Sequence, residues 1–266
     1  MTSDRPVRVG VQVSPQHAPY PLIRDTVARL EDLGVDVVFN WDHFFPLTGD
    51  PDGSHFEAWT MLAAIAEQTS RVEFGPLVNC SSYRNPDLQA DMARTVDHIS
   101  ARDGVGRFIF GTGSGWARRD YDEYGYEFGT AGSRLDALAE DLPRIRARWD
   151  VLNPAPTRRI PILIGGGGEQ KTLRIVARHA DIWHCFGDVE TLSRKLAVLR
   201  ERCAEIGRDP DEIELSTGFT MRHDSALRNA DEKHALGFRL FEVPIDAGDG
   251  LGVVEALLRW RDQING

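Results

Sequence analysis

The stretch VRVGVQVSPQHAPYPLIRDTVARLEDLG, residues 7–34, decides between two folds. It opens with alternating valines, the mark of a strand, and closes with Leu22, Ile23, Val27, Leu30 and Leu33 at helical spacing. An open doubly wound sheet that binds a dinucleotide carries a G-x-G-x-x-G turn between its first strand and first helix. Here the connection reads SPQHAPYP and contains no glycine. The strand–helix pair is kept, and the nucleotide turn is missing.

The same pairing recurs down the chain. Strand-like runs at 35–41, 72–78, 107–113, 160–166, 181–187, 212–219 and 238–244 are each followed by a helical pattern. Those patterns cover 56–69, 86–100, 132–150, 169–180, 189–207, a weaker one near 225–236, and 251–264; a long loop separates the fourth strand from its helix. Eight units in 266 residues, with no Pro/Ser-rich linker between them, predict one domain, a closed (β/α)8 TIM barrel.

Composition narrows the class. Hydrophobic residues make up 41% and charged residues 27%, as in a globular protein with a full core. The net charge of -10 speaks against a nucleic-acid binder, which needs a basic face. Three cysteines give no disulfide framework. Neither a signal-peptide run nor a membrane-spanning run is seen, so the expectation is a cytoplasmic protein with no membrane partner.

In a barrel of this kind, chemistry gathers at the C-terminal ends of the strands. Those ends supply Gln12, then Trp41, Asp42 and His43 with Phe44 and Phe45, then Asn79, then GTGSGW (111–116), GGGG (165–168), and His184. Four glycines before a helix offer bare amides for a phosphate, with Lys171 nearby. Each residue also has an ordinary explanation. The glycines suit a loop, His43 and His184 suit satisfied strand-end histidines, Asp42 suits a turn cap, and Trp41 and Trp116 suit rim packing. Convergence on one face is what core packing does not demand. Metal ligation is not expected, since HExxH, CxxC and a His-x-His pair on the first strand are all missing. GTGSG lacks the open-sheet setting of a nucleophile elbow.

At NWDHFFPL (40–47), LVNCSSYRNPDLQADMARTVDHIS (77–100), FGTGSGW with YGYEFGTAGSR (124–134) and PILIGGGGEQKTLRIVARHADIW (161–183), the chain resembles the bacterial luciferase-like oxidoreductases, in particular their coenzyme F420-dependent branch. The resemblance implies a barrel, commonly a homodimer, that moves a hydride between F420 and a small organic substrate. It gives Asp42 and His43 the ring edge of the cofactor, with His43 either handling a proton or positioning the cofactor. It puts a non-prolyl cis peptide at Leu77–Val78, next to Asn79, behind the ring. It further gives Gly111, Thr112 and Gly113 the cofactor groove, Gly165, Gly166, Gly167 and Gly168 the phosphate, and Gln12, Trp41, Trp116 and His184 the substrate pocket. FMN is the alternative cofactor, for a monooxygenase, and a non-catalytic flavin- or deazaflavin-binding protein is the alternative to an enzyme. Sugar-phosphate dehydrogenases of the family carry a glutamate where this chain places Trp116, which speaks against a glucose-6-phosphate-type substrate.

Overall fold

The computed structural model describes residues 5–219 and 229–266. All sheet pairings are parallel, in the order β3-β2-β1-β9-β8-β7-β6-β5-β4. The strands are β1 Arg8–Val13, β2 Val37–Asn40, β3 Glu73–Pro76, β4 Asn79–Cys80, β5 Phe110–Gly113, β6 Ile162–Gly165, β7 Ile182–His184, β8 Glu214–Gly218 and β9 Leu240–Ile245. β3 and β4 are two halves of one barrel position, parted at Leu77–Val78, where the expected cis peptide is found. Nine segments therefore fill eight positions. The ring closes where Phe74 N donates to Arg107 O at 3.2 Å and Ile109 N donates to Phe74 O at 2.8 Å.

Outside the strands run α1 Tyr20–Leu33, α2 Ala58–Gln68, α3 Pro86–Ile99, α4 Arg118–Tyr124, α5 Ala131–Val151, α6 Thr172–His179, α7 Val189–Glu205, α8 Ala230–Ala235 and α9 Leu251–Asn265. α4 lies inside the segment expected to be a loop, and it matters for the site. The expected helix near 225–236 is present as α8; its positions 225–228 lie outside the described residues.

The sequence signals that start these helices are visible as caps. Asn85 accepts from Asp87 N with Pro86 at the first helical position of α3, and Asp188 accepts from Thr191 N ahead of α7. Residues alternating along the strands divide into two cores. Val9, Val11 and Val13 of β1 face outward into the shell shared with the helices. Val37, Phe39, Ile109, Leu163, Ile182 and Leu240 face inward and plug the barrel. Glycines make room for the plug: a Cβ on Gly75 would collide with the carbonyl oxygen of Ile109, and one on Gly10 would press on the Phe39 ring at 3.0 Å. Above this plug, at the C-terminal mouth, the interior opens.

Candidate active site

The mouth holds a cavity of about 580 Å³. Its walls come from the ends of β1, β2, β4, β5, β6 and β7. Leu77 and Val78 form one wall, and Gln12 Nε2 donates to Leu77 O at 2.5 Å beneath them. Val78 fits there because Gly113 and Gly165 lack side chains: a Cβ on either would stand 2.8 Å from a Val78 methyl. Trp41, His43 and the exposed Trp116 face the opening, with the His43 and Trp116 rings edge-on at 5.4 Å.

His43 is buried and held by a carboxylate. Its Nδ1 lies 2.6 Å from Asp120 Oδ2, on α4. Asp120 also accepts from Tyr83 Oη at 2.8 Å and from the Phe44 amide at 3.1 Å. Burial acts to raise the Asp120 carboxyl, but the hydrogen bonds from His43 and Tyr83 and the His43 charge outweigh it. Its pKa ends below the ordinary carboxylate range. With Nδ1 committed, Nε2 is the imidazole nitrogen that no described residue engages.

Asp42 is arranged differently from the expectation. It borders the cavity, but its carboxylate is fully buried and receives Arg84 in a two-point contact, 2.6 Å to Oδ2 and 3.0 Å to Oδ1. Oδ2 also accepts from the Cys80 amide at 3.0 Å. Burial pushes this carboxyl up, and the guanidinium pulls against it. Such a group fixes the start of β4 and is occupied on both oxygens.

Other expected residues divide cleanly. Gly166, Gly167 and His184 border the cavity, as do Gln12, Leu77, Val78, Gly113, Gly165, Trp41 and Trp116. Asn79, Gly111, Thr112 and Gly168 do not. Asn79 is buried between Trp59 Nε1 and Gln89, and Thr112 Oγ1 reaches Asn79 O at 3.4 Å. Gly111 is a glycine because a Cβ there would strike the Pro76 carbonyl where the third barrel strand bends. Phe44 stacks on Tyr124 at 4.0 Å and Phe45 lies under Arg119 at 4.0 Å, so neither ring lines the cavity.

The glycine run is also only partly available. The Gly166 amide is spent on His184 O at 3.0 Å, continuing the β6–β7 ladder. The amides of Gly167 and Gly168 donate to no acceptor among the described residues. Lys171 is turned away and paired with Asp136 at 2.7 Å. The cation beside the run is instead Lys195 of α7, whose Nζ donates to Gly167 O at 2.5 Å and which borders the cavity. Lys195 and Asp120 are among the site residues that the sequence pattern does not single out. Lys195 lies on the same helical face as Leu192 and Leu199, which point only to core packing.

The luciferase-like monooxygenase family model matches residues 5–241, and the chain belongs to that family. It is 28% identical over 267 residues to an F420-dependent glucose-6-phosphate dehydrogenase of Amycolatopsis mediterranei (strain U-32), covering 86% of this chain and 78% of that protein. An uncharacterized protein of Mycobacterium tuberculosis (strain ATCC 25618 / H37Rv) is 31% identical over 249 residues, covering 83% of this chain and 82% of its own. Among solved structures, an F420-dependent secondary alcohol dehydrogenase in complex with an F420-acetone adduct superposes with a TM-score of 0.82 at 17% identity, over 95% of this chain and 98% of that one.

Proposed function

We propose that the chain is an oxidoreductase that uses coenzyme F420 to move a hydride to or from a small organic substrate. The observation that carries this reading is the His43–Asp120 pair at the edge of a cavity backed by Val78 and ending at Lys195. The F420-dependent names of the Amycolatopsis relative and of the alcohol dehydrogenase support the choice of cofactor.

The residues fit such a group. A flat ring needs an apolar wall without projecting side chains on its flanks, and Val78 between Gly113 and Gly165 supplies that. An anionic tail needs an amide and a cation, and Gly167 and Lys195, which both border the cavity, supply those. Bound deazaflavin supplies a ring carbon that carries hydride. The protein's part is to orient the two reactants and keep water out. His43 adds proton handling: Asp120 holds Nδ1, which fixes the ring and leaves Nε2 as the nitrogen for the reactants.

Titrating the protein with F420 and with FMN, followed by tryptophan fluorescence, tests the reading. F420 is expected to bind at least about tenfold more tightly, a difference of about 1.4 kcal/mol. Equal or reversed affinities overturn the cofactor assignment.

A further inference from the structure

Inside the barrel, β9 carries an acid that hydride transfer to the cofactor does not require. Glu242 points into the barrel between two glycines, in register with Gly10 of β1 and Gly218 of β8. It is 1% exposed, and its Oε1 has no hydrogen-bond partner among the described residues. A Cβ on Gly218 would stand 2.6 Å from Glu242 Oε2 and would also strike the Phe186 ring. The glycine thus leaves room for an acid and an aromatic to meet. Phe186 in turn lies edge-on to His184 at 4.8 Å, and both border the cavity.

His184 shows the same deficit. It is 3% exposed, its Nδ1 is 2.8 Å from Ser216 Oγ, and its Nε2 has no partner among the described residues. A buried polar atom left unpaired costs free energy, so two beside one aromatic ring mark a place that expects a polar guest. Burial, with Lys233 nearby, lowers His184 to about 3, and burial raises Glu242 to about 8. Near neutral pH the two are therefore an uncharged imidazole and a mostly protonated carboxyl. Together they offer both donors and acceptors and carry no charge to match an anion.

We infer that His184 Nε2 and Glu242 Oε1 are the polar floor of a substrate subsite that takes the hydroxyl or carbonyl oxygen of a neutral small molecule, with its apolar body against Phe186. The inference rests on the F420 reading in one respect. Lys195 is the only Lys or Arg among the described residues bordering the cavity, and the cofactor's anionic tail occupies it. A phosphorylated substrate would then find no second Lys or Arg bordering the cavity among the described residues, since the buried Lys233 turns its ammonium to Gly218 O at 3.4 Å and to the Phe219 ring.

Calorimetric titration with cyclohexanol and with glucose 6-phosphate, on the full chain with and without F420, tests this. Cyclohexanol is expected to bind saturably to the F420-loaded protein and glucose 6-phosphate at least about tenfold more weakly. Glu242→Gln keeps a donor and an acceptor and should stay within about threefold of the parent; Glu242→Leu should lose about tenfold or more, with F420 affinity unchanged in both. If Glu242→Leu unfolds, His184→Leu provides the same reading. No saturable binding of cyclohexanol, equal affinity in the Leu variants, or tighter binding of glucose 6-phosphate overturns the subsite, the polar atoms then being satisfied by water. Failure of F420 to bind the parent protein sinks the cofactor reading instead, and the titrations without F420 still decide the role of the pair.

Discussion

His43 Nδ1 and Asp120 Oδ2 lie 2.6 Å apart although 77 residues separate them in the chain. One lies just past the end of β2 and the other sits in the seven-residue helix α4. The carboxylate is shared with Tyr83 and the Phe44 amide, so it is fixed before any substrate arrives. Under the proposed function, an imidazole with one nitrogen locked is the group that would pass a proton through the other.

His43→Ala should lower single-turnover hydride transfer by about 10²-fold or more, with cofactor affinity near that of the parent. Rapid-mixing absorbance of F420 measures the first and fluorescence titration the second. Survival of both would make His43 a strand-end histidine and nothing more.

Asp120→Asn tests whether the carboxylate acts through the imidazole. The amide keeps the shape but removes the charge and the acceptor pairing at Oδ2. A fall of about 10- to 10²-fold in kcat is expected, with a shift in the pH–rate profile and little change in KM. A purely structural Asp120 would lower the thermal midpoint and leave the profile of the folded fraction in place.

Much of this site is legible in the amino-acid sequence, and the residues that are not legible share a physical reason. Alternating valines in β1 and the glycine-free SPQHAPYP connection are local signals, so the barrel can be read from them. The strand-end rule then brings Gln12, His43, Gly113, Gly167 and His184 to one face. Direction of a side chain is not local. Asp42 stands beside His43 in sequence, yet its carboxylate turns to Arg84. Asp120 is hidden in RRDYDEY, where three acids look alike until α4 folds over Tyr83. Gly111 resembles its cavity neighbours but answers to the Pro76 carbonyl. The third barrel strand is one run of sequence and two strands in space, parted at Leu77–Val78.

The Asp42–Arg84 pair should behave as a structural clamp. Arg84→Met leaves a carboxylate with no exposed surface without its partner, so a loss of about 3–5 kcal/mol is expected in urea unfolding. Asp42→Asn combined with Arg84→Met should recover part of that loss, because the uncompensated charge is gone. Equal destabilisation in the single and double variants would show that packing, not charge, is at stake.

Two glycines that look alike in sequence should respond differently. Gly111→Ala drives a methyl into the Pro76 carbonyl, and backbone cannot step aside, so a poorly folded protein is expected. At Gly167 a Cβ would meet Cys185 Sγ at 2.7 Å and the flexible end of Lys195. Gly167→Val should therefore fold and lose about 2 kcal/mol of F420 affinity, the worth of one or two charge-assisted hydrogen bonds. Circular dichroism and fluorescence titration separate the outcomes, and unchanged affinity in a folded Gly167→Val would make the run only a loop.

Glu242 predicts a pH dependence of stability whose sign is fixed by the direction of its shift. Burial raises its pKa from 4.5 to about 8 on folding. Between those values the folded chain holds a proton that the unfolded chain has released. The stability linked to this proton is fully present below 4.5 and is lost as pH rises through about 8. Glu242→Gln has no proton to lose. Urea midpoints measured across that range should fall with pH in the parent protein and stay flatter in the variant, so that Gln gains on Glu toward alkaline pH. Parallel curves would mean that Glu242 is already ionised in the folded barrel, with water or a cation beside it, and the neutral carboxyl on which the subsite depends would be gone.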